Sequence, residues 1–374
     1  MERSIYLVEH ITAGALLLVA IYGVIALGGS AAGAHSAIEF ASFAIAALVI
    51  PWLILSERSP RIPAVMVVCS AIPVWGALQL MLGVSASDFD TRNAILDGAV
   101  FAALFFISAQ MLRDSKLRRR VLEVLFVLGF AASAAALVSP LIRQVDRGHY
   151  CAFVELLLPI GLYLLCDATQ KRMRYVWAVL ATSLIASALI TGSRAGCAIV
   201  ILEVVAVPMV MYARGHTRVR EARTPIFAMA GMVAIFAVSV GYEQLASRFE
   251  SGDPANGRNE LVAAAMRMAG DRPWTGFGLG SFGAVYPAYT MLGGGLPVSH
   301  ACNDWVEWTA TGGVPLLALY LTLFGLMLPL MLRYAWAIGA AAMCLHALAD
   351  FPFEIPALLV LNAILLGAAS AGSD

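Results

Sequence analysis

The feature that most constrains this chain is a series of long apolar runs that recurs along almost its whole length. A helical run of about 17 to 25 apolar residues is long enough to span a bilayer core of about 30 Å. Roughly twelve runs approach this length, and the shorter ones could be re-entrant instead of spanning. They centre near residues 11–28, 36–55, 62–83, 93–112, 121–140, 151–166, 175–192, 196–213, 225–242, 308–332, 335–350 and 353–371.

The composition and continuity of these runs predict an all-α membrane protein. Hydrophobic residues make up 61% of the chain and charged residues only 13%, whereas soluble domains carry about 25% charged residues. This excludes an ordinary cytosolic enzyme. A β-barrel would show alternating segments of about ten residues instead of continuous runs. We therefore predict an all-α polytopic membrane protein, with about 12 transmembrane helices in a single membrane domain over residues 1–374.

The distribution of basic residues predicts which side of the membrane each loop faces. If the N-terminus is cytosolic, sixteen of the 24 basic residues fall on that side, as the positive-inside rule requires. Both termini are then cytosolic, and the one long loop, at about residues 243–304, is external. The other eight basic residues oppose this trend and need another reason to be there: Arg92, Arg143, Arg147, Arg194, Arg248, Arg258, Arg267 and Arg272.

The long external loop is the only large insertion between the predicted spans. Loops of that length without structure of their own are uncommon unless they are functional. Its segment Asn259 to Gly270 has helical spacing, which predicts a short helix lying along the membrane surface. The apolar face of that helix would carry Leu261, Ala264, Ala265 and Met268.

Two arginine motifs in the external segments are candidates for binding an anion. Arg194 lies in a very short turn between Gly192 and Gly196, and charged residues at the membrane rim are functional candidates by default. Arg258 would open the predicted surface helix, where unpaired backbone N–H groups also favour an anion. Guanidinium groups bind phosphate oxygens bidentately, which suits a diphosphate. The alternatives are a snorkelling arginine for Arg194 and a solvated helix face for Arg258.

A histidine motif and a second histidine turn are the candidates for proton transfer and for completing the site. His300 precedes a span and could accept a proton from a hydroxyl at neutral pH. His346 and Asp350 are four residues apart, so they share a helix face and could pair. A purely structural role, or helix capping, remains open for each. Further candidates for contact with the diphosphate or the acceptor are Arg147, Arg267, Arg272, Asn303 and Asp304.

Two other patterns contain residue types that could carry chemistry but have simpler explanations. Asp88 and Asp90 have the spacing of metal-dependent sugar transferases, but capping of the fourth span explains them equally well. The six cysteines are scattered and are expected to pack as small apolar residues. Cys151 and Cys302 both lie near the outer face, and the sequence leaves open whether they pair. We predict no metal ligands.

The motifs together resemble those of the O-antigen ligase and polymerase superfamily. The resemblance extends from about residue 140 to 360, and the segments Arg147 to Tyr150 and His346 to Pro356 also look like family segments. The motifs that carry it are, in chain order, Thr191-Gly-Ser-Arg194-Ala-Gly196, Gly257-Arg258, Asp271 to Phe282, His300-Ala-Cys-Asn303-Asp-Trp and Gly312-Gly313.

The resemblance implies a C-type glycosyltransferase in the bacterial inner membrane, with its active site facing the periplasm. The donor would be an undecaprenyl-diphosphate-linked glycan, held by Arg194 and Arg258 among membrane lipid. His300 would activate the hydroxyl of an acceptor glycan or glycolipid. Transfer would be inverting, independent of metal and cofactor, and would not involve nucleic acid. Ligation to lipid A core and glycan polymerisation both remain open. So do a transporter of an anionic lipid or solute and a non-catalytic glycan-binding subunit.

Overall fold

A computed structural model gives the architecture of residues 2–27, 33–56, 59–138, 145–236, 238, 255–291 and 298–372. Every regular element in these ranges is helical, which confirms the all-α prediction. The α-helices are α1 Glu2–Leu27, α2 Ala34–Leu55, α3 Ala64–Met81, α4 Asp88–Met111, α5 Ser115–Val138, α6 Arg147–Asp167, α7 Lys171–Thr191, α8 Arg194–Ala213, α9 Arg223–Phe236, α10 Ala255–Asp271, α11 Phe282–Val285, α12 Asp304–Arg333, α13 Ile338–His346 and α14 Pro356–Ala371.

The helices match the predicted spans closely. Within the described ranges, nine helices are long and apolar enough to cross a membrane, namely α1 to α8 and α12. Three further predicted runs correspond to shorter apolar helices, over 223–236, 335–346 and 356–371. Residues 237 and 239–242 of the predicted 225–242 run lie outside the described residues. Arg248 and Arg143 also lie outside them.

Helix α6 forms the centre of the bundle. In the most apolar 18-residue stretch of α6, 89% of the residues are buried, against 28% in the corresponding stretches of α2 and α3. A helix that is apolar on every side is stable when other helices surround it. Helices α5, α7, α8, α13 and α14 all pack on α6. The ring of Phe126 lies against Gly161, where a side chain would overlap it. This central position matters because α6 begins at the cluster of polar residues described below.

A helix in the predicted segment Asn259 to Gly270 is confirmed as α10, which begins at Ala255 and ends at Asp271; its position along the membrane surface stays a prediction. Its predicted apolar face is also confirmed, because Ala264, Ala265 and Met268 are fully buried. They pack in a small apolar core of the loop itself, against Phe277, Phe282, Val285, Tyr286, Ala301 and Ala310. This second core ties α10 to the start of α12.

Helix α12 is broken near its first third, and the glycine-rich loop fills the break. Gly313 has φ 69° and ψ −174°, a conformation that is essentially restricted to glycine. The carbonyl of Ala310 accepts from Phe277 N (3.2 Å), and that of Thr311 accepts from Gly278 N (2.8 Å). Val314 N in turn donates to Pro273 O at 2.7 Å. Irregular backbone in a membrane protein is tolerated where protein satisfies its polar groups in this way.

Two side chains of α3 form further hydrogen bonds with the backbone around the break in α12. Gln79 Nε2 donates to Thr275 O at 2.6 Å and to Thr311 O at 2.9 Å, and Gln79 Oε1 accepts from Leu279 N at 3.1 Å. Trp75 Nε1 donates to Gly312 O at 2.9 Å. The loop, α3 and the start of α12 are therefore one hydrogen-bonded unit, which fixes the position of the residues that precede and follow the break.

Replacing Gly313 with alanine is expected to destabilise this unit by roughly 1–3 kcal/mol, the usual range for a residue forced into a conformation it disfavours. The added Cβ would also lie 2.6 Å from Trp274 O. The thermal unfolding midpoint of the purified protein measures the effect. Gly325→Ala is the matched control in the same helix, because nothing lies within 4 Å of its Cβ position. Equal midpoints for the two variants would contradict the proposed role of the break.

Candidate functional site

Four separate parts of the chain meet at one end of the bundle, here called the His300 face. They are the start of α6, the start of α10, the segment that leads into α12, and the connection between α13 and α14. The electrostatic neighbours of His149 in α6 include Asp350 and His300, and those of Asp350 include Arg258 in α10. The structure thus brings together predicted site residues that are far apart in sequence.

The centre of this face is a histidine–carboxylate pair formed by His300 and Glu307. His300 Nδ1 lies 3.1 Å from Glu307 Oε1, and Ala301 N donates to Glu307 Oε2 at 2.6 Å. A carboxylate can only accept, so it holds the proton on Nδ1 and leaves Nε2 able to accept another. Phe351 stacks on the imidazole with ring centroids 4.6 Å apart. The ring is therefore fixed in orientation and in tautomer.

Backbone strain accompanies this arrangement. Cys302 has φ 55°, a left-handed conformation that costs a non-glycine residue on the order of 1–3 kcal/mol. It lies between His300 and Asn303, whose side chain caps α12 by accepting from Val306 N at 3.2 Å. The sharp turn at Cys302 lets the chain present His300 and then enter the helix that carries Glu307.

The electrostatics of the pair favour a charged imidazole more than water does. Burial lowers the pKa of His300, but the hydrogen bond and charge of Glu307, with smaller contributions from Glu354 and Asp350, outweigh burial and raise that pKa above its usual 6.5. Burial also raises the pKa of Glu354, to about 7. A histidine with a raised pKa is a stronger proton acceptor, as a general base requires.

Glu307→Gln is expected to move the pH dependence of catalysis in a defined direction. A general base works only when unprotonated, so with His300 as the predicted base, activity is expected to fall as pH falls through the pKa of His300. Removing the Glu307 charge lowers that pKa, so the acid limb of the kcat/KM profile should move to lower pH while kcat decreases. Glu123→Gln is the control, because Glu123 pairs with Arg119 at another site. An unshifted acid limb in the Glu307 variant would show that Glu307 does not control His300.

A second histidine–carboxylate network, which is fully buried, lies next to the His300 face. His346 Nδ1 lies 2.8 Å from Glu155 Oε1, and its Nε2 lies 3.8 Å from Asp350 Oδ2. The predicted pairing of His346 with Asp350 is thus an ion-pair approach, longer than a hydrogen bond. Asp350 packs against Gly148, where any side chain would overlap its carboxylate. Truncation of one member would leave a buried charge without its partner.

The arginines differ in what they face. Arg258 is exposed at the start of α10. Burial raises the pKa of Asp350, but the interaction with His346, the charge of His149 and a smaller contribution from Arg258 outweigh burial and lower that pKa. Arg194 is exposed at the first residue of α8, directly after its cap Ser193, which accepts from Gly196 N at 3.3 Å. Gly196 packs on Cys151, one helical turn after Arg147 in α6. Arg147, Arg194 and Arg258 are thus each in the first turn of a helix that begins at this end of the bundle.

Four other predicted site residues make well-defined internal contacts. Arg267 donates to Glu260 Oε1 at 2.6 Å and to Tyr289 O at 2.8 Å. Arg272 donates to Val84 O at 3.0 Å. Asn303 Nδ2 donates to Leu348 O at 2.9 Å, and Asp304 Oδ2 accepts from Phe353 N at 3.1 Å. These contacts hold the loop and the α13–α14 connection in place. Direct contact of the four residues with substrate stays a prediction.

The described residues also include groups that could hold a cation. The donor atoms of His300, Glu307 and Glu354 lie within 4.8 Å of one another, as do those of Asp146, His149 and Asp350. Asp88 and Asp90 belong to none of the metal-compatible groups found in the described ranges. They lie in the first turn of α4, whose cap is Ser87. All six cysteines are free thiols, including Cys151 and Cys302.

Several residues of this face carried little signal in the sequence. Glu307 follows His300 by seven residues, but their approach depends on the turn at Cys302. Glu155 lies inside an apolar span, and an ionisable residue at that depth is the one available indication of function. His149 and Glu354 lie in the segments Arg147 to Tyr150 and His346 to Pro356, but only the way the helix ends meet places them beside His300.

Comparison with known families agrees with the motifs and their geometry. A family model described as O-antigen ligase matches residues 178–321. The matched interval runs from α7 to the middle of α12 and includes Arg194, Arg258, His300 and Glu307. This match supports a place for the chain in the O-antigen ligase and polymerase superfamily. No curated protein matches the chain.

Proposed function

We propose that this chain, as a member of the O-antigen ligase and polymerase superfamily, is an integral glycosyltransferase of the inner membrane. Its donor would be an undecaprenyl-diphosphate-linked glycan, and its acceptor a hydroxyl of lipid A core or of another glycan. The active site would face the periplasm, with both termini in the cytosol. The family match supports the reaction class, and the positive-inside distribution of basic residues supports the orientation.

The observation that carries the proposal is the His300–Glu307 pair beside exposed arginines. Glu307 fixes the proton on Nδ1, so Nε2 of His300 is the free acceptor of the pair. His300 keeps 23% of its side chain exposed while Glu307 keeps only 2%. The base can therefore be reached from the His300 face while the carboxylate that orients it is shielded from water.

The proposed reaction is a single displacement at the anomeric carbon. His300 Nε2 takes the proton of the acceptor hydroxyl, and the acceptor oxygen forms a bond to that carbon. The bond from the anomeric carbon to the phosphate oxygen breaks, and the electron pair leaves with the lipid diphosphate. Arg258 and Arg194 stabilise the negative charge that develops on this leaving group. Attack opposite the leaving group inverts the anomeric configuration.

This mechanism assigns the leaving-group charge to guanidinium groups and makes the reaction independent of metal. The donor atoms of His300, Glu307 and Glu354 are near enough to offer an alternative, in which a cation polarises the acceptor. In the proposed mechanism His300 Nδ1 is instead engaged by Glu307 as an orienting hydrogen bond. Sensitivity to chelator separates the two mechanisms.

The test is transfer by the purified protein from a defined undecaprenyl-diphosphate oligosaccharide to candidate acceptors, with and without chelator. The proposal expects a covalent product and free lipid diphosphate in equal amounts, unchanged by chelator. Loss of activity on chelation, restored by a divalent cation, would replace the metal-independent mechanism. Solute flux through proteoliposomes without covalent product would instead favour a transporter. Retained donor binding without transfer would indicate a non-catalytic binding subunit.

A further inference from the structure

A basic cavity lies at the end of the bundle opposite the His300 face. Its volume is about 630 Å³, within the roughly 300–1,000 Å³ of ligand pockets in proteins. It is bordered by the start of α5 and by the ends of α6, α8 and α12. Its basic lining residues are Lys116, Arg118, Arg119, Arg214, His216 and Arg333.

The charge of the residues that line this cavity is predominantly positive. Among the described residues that line it, none is acidic. Arg119 is paired with Glu123 and Asp167. The hydrogen bonds found for Arg118 and Arg214 lead to carbonyl oxygens, from Arg118 to Leu112 O at 3.1 Å and from Arg214 to Leu332 O at 2.6 Å. A carbonyl fixes the direction of a guanidinium group but does not neutralise its charge.

The cavity is also shaped by aromatic rings. The guanidinium carbons of Arg118 and Arg333 lie 5.9 Å and 5.6 Å from the ring centroid of Tyr334. The Tyr334 hydroxyl donates to Gly372 O, which fixes the ring between α12 and the end of α14. Two cations held against one ring repel each other, and an anion between them would relieve that repulsion. Guanidinium groups match phosphate oxygens in geometry as well as in charge.

The cavity is remote from the catalytic pair. Glu307 and Arg333 lie near opposite ends of α12, and the part of α12 that follows the break, from Val314 to Arg333, corresponds by itself to roughly 29 Å at 1.5 Å per residue. Likewise, α6 begins at the His300 face and lines the cavity near its other end, through Tyr163. A ligand of the cavity therefore cannot be the glycan that reacts at His300.

We propose that this opposite-face cavity binds a phosphate-bearing anion, as the headgroup of an anionic lipid or as soluble phosphate or diphosphate. The cluster of basic side chains supplies the charge, and Tyr334 and Trp336 supply the apolar wall. Basic pockets between membrane helices are known to hold anionic headgroups. The proposal concerns a binding site in addition to the proposed transferase site.

Two binding measurements on the full-length protein test the proposal and separate the two sources of phosphate. Native mass spectrometry after exchange with phosphatidylglycerol and cardiolipin measures lipid retention. Equilibrium dialysis with labelled inorganic pyrophosphate measures soluble binding. In the double variant Lys116→Gln, Arg333→Gln, either lipid retention or pyrophosphate binding, or both, should weaken by about tenfold or more. Both residues are exposed at the cavity mouth, so the bundle core is unchanged by the substitutions.

The matched control removes two charges from the same end of the bundle outside the cavity. Arg120→Gln with Arg172→Gln alters exposed residues that do not line it. Selective loss of lipid retention in the cavity variant identifies a headgroup site, and selective loss of pyrophosphate binding identifies a soluble ligand. Equal losses in the two double variants, or saturable binding of neither probe by the wild type, would overturn the proposal. Unfolding midpoints of both variants should equal that of the wild type.

Discussion

Replacing His300 with alanine is expected to lower the rate of glycan transfer by about 10²- to 10⁴-fold, the usual contribution of a positioned general base. The acceptor hydroxyl would then have to lose its proton to water as its oxygen attacks. Because the imidazole does not contribute to donor binding in the proposed mechanism, the loss should appear in kcat more than in the KM of the donor. Turnover of a defined lipid-diphosphate oligosaccharide measures both.

The control for His300 is a histidine away from the site. His10 lies in α1, where its Nδ1 is 2.8 Å from the carbonyl of Tyr6, and its replacement by alanine should leave turnover unchanged. His300→Gln is informative in addition, because the amide keeps hydrogen-bonding capacity but cannot accept the hydroxyl proton. Wild-type turnover by both His300 variants, with normal membrane insertion, would remove His300 from the mechanism.

Replacing Arg258 or Arg194 with alanine is expected to lower kcat by about 10²- to 10³-fold each, as does the loss of one preorganised group that stabilises charge in a transition state. In the proposed mechanism the negative charge on the diphosphate increases as the glycosidic bond breaks. The arginines therefore bind the leaving group more strongly in the transition state than in the ground state. Single-turnover rates with donor bound isolate this effect from donor affinity.

A lysine variant and an arginine outside the proposed site make the arginine test specific. A lysine at position 258 keeps the charge but loses the bidentate fork, so it should restore only part of the rate. Arg92→Gln removes an exposed arginine of α4 and should have little effect. If Arg258→Ala raises the donor KM and leaves kcat unchanged, the guanidinium binds substrate and transition state equally, and its proposed role is wrong.

The break in α12 shows that a glycine motif can be visible in the sequence while its structural role is not. The run of glycines from Gly276 to Gly280 and the pair Gly312-Gly313 are visible in the sequence as separate features. The structure joins them, because the main chain of one segment supplies the hydrogen bonds that the other has lost. Gly276 and Gly313 are needed where the two backbones approach too closely for a side chain. Local propensity cannot reveal which two irregular segments repair each other.

A residue of the candidate site could be predicted from the sequence when its charge or residue type is unusual for its position relative to the membrane. External arginines oppose the topological rule, and His300 lies in a polar loop, so Arg194, Arg258 and His300 were identifiable. Glu307 was not, because a glutamate in the first turns of a helix is ordinary there. Only its two contacts, with His300 Nδ1 and Ala301 N, place it beside the proposed base.

The sequence by itself determined the fold class, the α10 helix, the motifs that a family model supports, and twelve apolar runs, of which nine are long helices and three are shorter ones in the described residues. These depend on run length, periodicity and local motifs, since bilayer thickness sets the length of each span independently of its neighbours. The tertiary structure decided which polar residues meet. Glu155 and His346 are 191 positions apart and 2.8 Å from each other, and the basic cavity draws on four helix ends. Such contacts depend on how helices pack around α6, and interhelical packing is not encoded in the composition of any single helix.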